Sequence, residues 1–459
     1  MGTVGRHRPQ PARDDPFLPR EWVHRYHRIR MSRDDGSARE VTCTAANFFL
    51  MDLNPIWYVD GLVRSKGNAL FILYLDTANA CTDKCKMCFT AATRAAEGLD
   101  KRLDVPLALR RIAQLRDRYP DTFRMVSMAG PGEPLSLPGI DDLLEGTVEL
   151  GCATRVYTAG HRLRLERLRR ALLRSCSLIR VSIDAANEDT YQLTHGVRGL
   201  EERLAGVEAL VRERGTAPTP LIGLHFVIQA ENMGEITRFA ERAQAIGVDF
   251  IVYGQETFGK VDGGFDATGY ESVVRQLGEA EQLHSDDFAV VVPRLVHRQT
   301  IVEFDKGHLA DAAELNRCHN SKHRIFFGVQ NDLSACWLAT LDAQFKQQSY
   351  VGQLADDTAF DAMNKIITGG VGTVLRDGAH LSCNRCVAGN YNGMVDEILG
   401  HLGGLGESQY QVELVPHEPG LPVYDEDYNF VLVGDQPDRL LSPDTMTAAP
   451  GRLLPLHVR

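Results

Sequence analysis

The stretch Ala69-Leu-Phe-Ile-Leu-Tyr-Leu75 runs on into Cys81-Thr-Asp-Lys-Cys85-Lys-Met-Cys88. The apolar run reads as a buried strand, and the three thiols leave it on a loop. Three thiolates at this C-x-x-x-C-x-x-C spacing can hold three irons of a 4Fe–4S cluster and leave the fourth iron open to a ligand. Zinc is the other reading. A structural zinc usually takes four protein ligands, and no fourth Cys or His lies nearby in sequence.

Outward from this strand the pattern repeats. Apolar runs at 69–76, 124–129, 154–159, 178–184, 221–229 and 249–255 alternate with amphipathic stretches such as Leu163-Arg-Leu-Glu-Arg-Leu-Arg-Arg-Ala-Leu-Leu173. Short buried strands alternating with helices imply parallel βα units. The fold class is therefore α/β, a partial (β/α)6 TIM barrel. Ligands in such folds sit at the carboxyl ends of the strands, where the cysteine loop begins.

Composition narrows the function classes. The 459 residues carry a net charge of −11, which argues against a nucleic-acid partner. No apolar run reaches membrane-spanning length, so no membrane association is expected. The N-terminus shows no apolar signal segment, and a cytoplasmic location follows. The ten cysteines are clustered, favouring metal ligation over a disulfide framework. Residues 1–40 lack an apolar period and read as a loose arm, the first part of a lead-in segment over 1–68.

Companion motifs follow the later strands in order. They are Ala129-Gly130-Pro131-Gly132-Glu133-Pro134, Val156-Tyr157-Thr158-Ala159-Gly160, Val181-Ser182-Ile183-Asp184 and Thr194-His195-Gly196-Val197-Arg198-Gly199. Together with Cys88-Phe89, this order resembles the radical S-adenosylmethionine (radical SAM) superfamily over residues 69–260. A proline inserted between Gly130 and Gly132 departs from the family's Gly-Gly-Glu-Pro. The resemblance implies a SAM-binding 4Fe–4S cluster on Cys81, Cys85 and Cys88. It implies SAM contacts from Phe89, Gly130, Gly132, Glu133, Thr158, Ser182 and Arg198, the last as a bidentate partner for the methionine carboxylate. It also implies a flavodoxin- or ferredoxin-type electron donor.

After a connecting segment at 261–317, a second group appears: Cys318, Cys336, Cys383 and Cys386. Four thiolates suit either a structural zinc or a fully ligated 4Fe–4S cluster. Their order and gaps resemble the twitch domain, a shortened SPASM extension of radical SAM enzymes. That implies a small C-terminal α+β domain over 318–400 with an auxiliary cluster, followed by a tail over 401–459. A hairpin is expected about Asn331-Asp332.

In that family a 5′-deoxyadenosyl radical takes a hydrogen atom from the substrate. The outcome depends on the neighbours. A base with an electron acceptor gives oxidation of an alcohol to a ketone, a thiol donor gives epimerisation, and a leaving β-hydroxyl gives dehydration. Asp184, at the mouth of its strand, reads as the base and favours a dehydrogenase. Cys152 and Cys176 precede their strands and lie at the wrong end for a hydrogen donor. His225, Tyr253, Gln255 and Glu256 are expected to line the cavity. The layout resembles enzymes of aminoglycoside antibiotic pathways, implying a small aminocyclitol or aminosugar substrate. Peptide modification is the rival among enzymes, and a zinc-stabilised interaction protein is the rival outside them.

Overall fold

The computed structural model describes residues 10, 12–18, 27–43, 53–255, 267–291, 309–310, 315–336, 349–374, 381–382 and 389–416. Six strands follow the chain in order across one sheet: β3 Ile72–Asp76, β4 Met125–Ala129, β5 Ala153–Thr158, β6 Cys176–Ser182, β7 Leu221–Ile228 and β8 Phe250–Gln255. Each pairs parallel with the next. β9 Ala289–Val291 adds a further parallel strand beyond β8. Among the described residues the sheet ends at β9 on one side and does not return to its other edge, so the α/β architecture is an open, partial barrel.

Alternation along the strands sorts residues between two faces. Val126, Met128, Val156, Ile179, Val181, Leu224 and Phe226 bury against the helices. The intervening helices supply matching stripes. In α5 Glu166–Ser175, Leu168, Ala171 and Leu172 are buried, while Arg167 and Arg174 pair outward with Asp141 and Glu145. The start of α3 Val105–Arg118 is fixed by Asp104, whose Oδ1 accepts from the Leu107 amide at 2.9 Å, a cap worth about 1 kcal/mol.

The other face is the lumen. Its amino end is plugged by Ile72, Met125, Leu178, Leu221 and Phe250, packed with Trp57 and Val59 of α1 Pro55–Ser65. The plug leaves the carboxyl end for chemistry. Behind α1 lies a three-stranded antiparallel sheet of β1 His27–Arg33, β2 Ala38–Cys43 and β15 Tyr410–Pro416. Over residues 27–40 these strands replace the expected loose arm, and β15 gives part of the expected 401–459 tail a place. Ile29, Met31, Val41 and Leu414 are buried, while Arg28 and Arg30 face Glu40 at 2.6 Å. So few apolar residues per strand, paired across some 380 positions of chain, leave no local period to read.

The C-terminal region joins the same sheet. β11 Arg324–Phe327 runs parallel to β3, and β12 Asp332–Ser334 returns antiparallel through a turn with Asn331 at φ 59°. β13 Tyr350–Gln353 forms the edge. The helices α10 His319–His323, α11 Asp357–Gly369 and α12 Gly389–Leu402 accompany these strands. No helix among the described residues is long and apolar enough to cross a membrane.

Candidate active site

The cysteine loop leaves β3 at the carboxyl end of the barrel and is pinned to the end of α6 Glu188–His195. The amides of Lys84 and Lys86 donate to the carbonyls of His195 and Thr194 at 2.8 and 3.1 Å. Gly196 permits this approach: it sits at φ 67°, and a Cβ there would lie 2.8 Å from the Lys84 carbonyl.

All three thiols of the loop are reduced and partly exposed. Cys85 Sγ lies 3.3 Å from His195 Nδ1, and Cys88 Sγ lies 3.5 Å from Arg94 Nη2 and 3.3 Å from Thr90 Oγ1. Burial pushes the Cys81 thiol up to about 12, so a cation is needed to hold it as thiolate. Three partly exposed sulfurs on one loop, with Arg94 and His195 beside them, fit an iron–sulfur cluster with one open iron. Asp83, Cys85 and His195 also bring ligand atoms within 4.8 Å of one another. Cys85 is common to both sets, so they belong to one centre.

His195 and Asp83 organise this centre from beneath. His195 Nδ1 lies 3.1 Å from Asp83 Oδ2 and Nε2 lies 2.9 Å from Asp184 Oδ2. Burial alone would lower the His195 pKa, but the bonds to Asp184 and Asp83 hold it well above the ordinary value. Arg203 donates to Asp83 at 2.7 Å and to the Ala159 carbonyl at 3.1 Å. Burial disfavours the Asp83 carboxylate, yet His195 and Arg203 keep its pKa below the ordinary value.

The glycine turn after β4 packs directly on the loop. A Cβ on Gly132 would stand 2.3 Å from the Ala78 carbonyl and 2.6 Å from that of Ala80. Thr90 Oγ1 donates to the Pro131 carbonyl at 2.7 Å. The Gly-rich turn thus brings its backbone directly against the cysteine loop. Glu133 is fully enclosed. It accepts from the Thr158 hydroxyl, the Ala159 amide at 2.7 Å and the Leu135 amide at 3.2 Å. Burial raises its pKa against those donors. Glu133 and Thr158 thus brace the two loops against each other. Gly130 lies against Asp76 at the end of β3, and Phe89 is half-buried after the triplet.

Several expected site residues stand elsewhere. Asp184, read from sequence as an open base, is completely buried: Oδ1 accepts from the Val227 amide at 2.5 Å and Oδ2 is bound by His195. Its geometry is that of a clamp. Arg198 lies on the surface against Asp189 at 3.4 Å; the buried guanidinium of this region is Arg203. Tyr253 faces the helix layer, where its hydroxyl donates to the Ile236 carbonyl at 2.7 Å, so it does not line the lumen. Ser182 and His225 do, side by side in register on β6 and β7. Glu256 and the Gln255 side chain lie outside the described residues.

Sequence reasoning passed over Arg155 and Arg180. Both are charged residues in the middle of buried strands, at inward-facing positions, and that signal was legible. Arg180 lies over the Tyr157 ring at 4.1 Å. In the second cysteine group, Cys318 opens α10 and Cys336 follows β12, both half-buried. Asn392 Nδ2 approaches Cys318 Sγ at 3.8 Å. Cys383 and Cys386 lie outside the described residues.

Residues 75–243 match the model of the family described as the radical SAM superfamily. The tungsten-containing aldehyde ferredoxin oxidoreductase cofactor-modifying protein of Pyrococcus furiosus is 26% identical over 182 residues, 39% of this chain and 50% of that protein. A probable GTP 3′,8-cyclase of Saccharolobus solfataricus is 23% identical over 185 residues, 40% of this chain and 56% of that one. The chain spans about half the length of these curated relatives. Among solved structures, Streptococcus suis SuiB bound to S-adenosylmethionine superposes with a TM-score of 0.48 at 17% identity, covering 66% of this chain and 68% of that one. Native anSMEcpe with bound AdoMet and a peptide gives 0.43 at 12% identity, over 73% and 98%.

Proposed function

We propose that this chain, whose residues 75–243 match the radical SAM superfamily, is a radical SAM enzyme, a dehydrogenase oxidising a secondary alcohol of a polyhydroxylated small molecule to a ketone. An aminocyclitol or aminosugar is the starting substrate class. The observation that carries the radical chemistry is the loop of Cys81, Cys85 and Cys88 set directly against the Gly132 turn, where only a residue without a Cβ fits.

When bound, SAM and the 4Fe–4S cluster supply a 5′-deoxyadenosyl radical that abstracts a hydrogen atom, and an auxiliary cluster on Cys318, Cys336, Cys383 and Cys386 supplies an electron acceptor. The protein's share is positioning and proton transfer. Gly130, Gly132 and the Glu133–Thr158 brace shape the recess for SAM. Asp83, His195 and Asp184 fix the loop that carries Cys85. His225 stands beside Ser182 in the lumen, placed to relay the alcohol proton; burial and Arg180 hold its pKa down at about 3, so the proton passes on to solvent and does not stay on the ring. The balance is then one hydrogen atom, one proton and one electron removed from the carbinol.

Cys152 and Cys176 favour oxidation over epimerisation. Both are buried on the helix side of the sheet, away from the lumen, and burial pushes each thiol up to about 12. Neither can hand a hydrogen atom to a substrate radical. The test is an anaerobic assay of candidate aminocyclitols and aminosugars with SAM and a reductant. Loss of two hydrogens with matching 5′-deoxyadenosine is expected; unchanged mass or loss of water would overturn the dehydrogenase reading.

A further inference from the structure

We propose that Arg94 tunes the iron–sulfur cluster of the Cys81, Cys85 and Cys88 loop: the Nε–Nη2 edge of its guanidinium donates to cluster sulfur, and its fixed charge raises the cluster's reduction potential. This deepens the function proposed above and rests on it in one respect, that the loop holds a 4Fe–4S cluster.

The short helix α2 Ala91–Glu97 inverts the usual pattern of burial. Ala91, Ala92, Ala95 and Ala96 are exposed, while Arg94 keeps only 7% of its surface. Burying an arginine beneath exposed alanines costs free energy unless the guanidinium meets acceptors. The helix is held at both ends. Thr90, just before it, donates to the Pro131 carbonyl at 2.7 Å. Asn79 Nδ2 donates to the Gly98 carbonyl, just after it, at 3.1 Å and to Glu97 Oε2 at 3.2 Å. The guanidinium is thereby mounted between Asn79 and Cys88.

Arg94 Nη1 donates to the Asn79 carbonyl at 3.1 Å and Nη2 to Cys88 Sγ at 3.5 Å. Nε is buried and meets no acceptor among the described residues. Nε and Nη2 share one edge of the planar guanidinium fork, so the orphaned N–H lies on the side that faces Cys88. A buried N–H left unmade is costly. A cluster on Cys88 brings a second acceptor beside the thiolate, an inorganic sulfide of the same iron. Hydrogen bonds to the sulfurs and local charge set the potential of such clusters. Reduction adds one electron, so a cation against the sulfur favours the reduced form. Arginine keeps its proton throughout, and the effect is constant with pH. Cys85 is placed differently: its neighbour His195 is shared with the carboxylates of Asp83 and Asp184. A raised potential eases transfer of one electron from a ferredoxin- or flavodoxin-type donor, the electron that SAM cleavage consumes.

The experiment is a redox titration of the reconstituted protein followed by electron paramagnetic resonance. Adding SAM alters the signal of the cluster with an open iron, which separates it from any auxiliary signal. In Arg94→Gln the midpoint of that signal should fall by at least a tenfold change in the reduction equilibrium constant, about 59 mV for one electron. Arg94→Lys keeps the charge and loses the fork, and should fall by less. A midpoint in R94Q equal to or above the parent's, at parent iron content, would overturn the proposal, as would an R94K midpoint as low as that of R94Q. If R94Q takes up no cluster, pulsed resonance on protein carrying guanidino-¹⁵N arginine decides. The reduced cluster of the parent should show a ¹⁵N coupling that R94K lacks; no coupling in the parent, or one that persists in R94K, would overturn the proposal. A parent that takes up no cluster would defeat the cluster reading and this proposal with it. A loaded parent whose midpoint R94Q shares would defeat this proposal alone.

Discussion

The Nε2 atom of His195 lies 2.9 Å from Oδ2 of Asp184, although the two residues belong to different elements, the end of α6 and the turn after β6. Neither side chain is exposed beyond a few per cent. Because His195 also meets Cys85 and Asp83, this bond ties the lumen strands to the cysteine loop.

Asp184→Asn tests that tie. Asp184 has φ 53°, a left-handed conformation that Asn tolerates, so the substitution removes charge without adding backbone strain. Loss of a charge-assisted buried bond should cost about 1–3 kcal/mol, read as a lower denaturant midpoint of the cluster-free protein. An unchanged midpoint would count against the clamp. A stable D184N that cleaves SAM yet makes no product would return the base role to Asp184.

The Gly132 turn makes a sharper demand. In Gly132→Ala the new Cβ meets two backbone carbonyls, of Ala78 and Ala80, and backbone cannot step aside as a side chain can. Overpacking of this kind typically costs about 1–3 kcal/mol, and the displaced turn should weaken SAM binding at least tenfold. Equilibrium binding of SAM to the reconstituted protein is the measurement. Parent-like affinity would remove the turn from the SAM site.

His225 gives a pH dependence with a definite sign. Its pKa is about 3 in the folded protein, lowered by burial and then by Arg180, against about 6.5 for an ordinary histidine. Between those values the unfolded chain binds the proton and the fold does not, so stability is present above pH 6.5 and is lost as pH falls towards 3. His161 and His323 are lowered by burial too and act in the same direction. His225→Gln should therefore flatten, not abolish, the fall in unfolding free energy between pH 6.5 and 5. An unaltered slope would show that His225 is not held neutral in the lumen.

The strands and cysteine loop were legible because each announces itself locally. Six apolar runs mark β3 to β8 to within two or three residues, and Asn331 marks the turn between β11 and β12. The Asp83–Arg203 and His195–Asp184 pairs were not legible. Arg203 stands among several arginines of one helix, and only the packing of α7 Leu200–Arg214 selects it. The same limit misplaced Arg198, a nearby arginine in a more suggestive motif. Tyr253 failed differently. A single aromatic does not say which face is the lumen until Phe239 and Ile236 are seen packed against it. β1, β2 and β15 were hidden because their apolar partners lie at opposite ends of the chain.

The most direct measurement is anaerobic iron–sulfur reconstitution followed by reduction in the presence of SAM, with iron, zinc and 5′-deoxyadenosine quantified on one sample. The account predicts brown protein with about eight irons per chain, formation of 5′-deoxyadenosine, and loss of that product with about four irons remaining when Cys81, Cys85 and Cys88 are replaced together by Ala. Colourless protein holding zinc, or iron-loaded protein that leaves SAM intact, would contradict it.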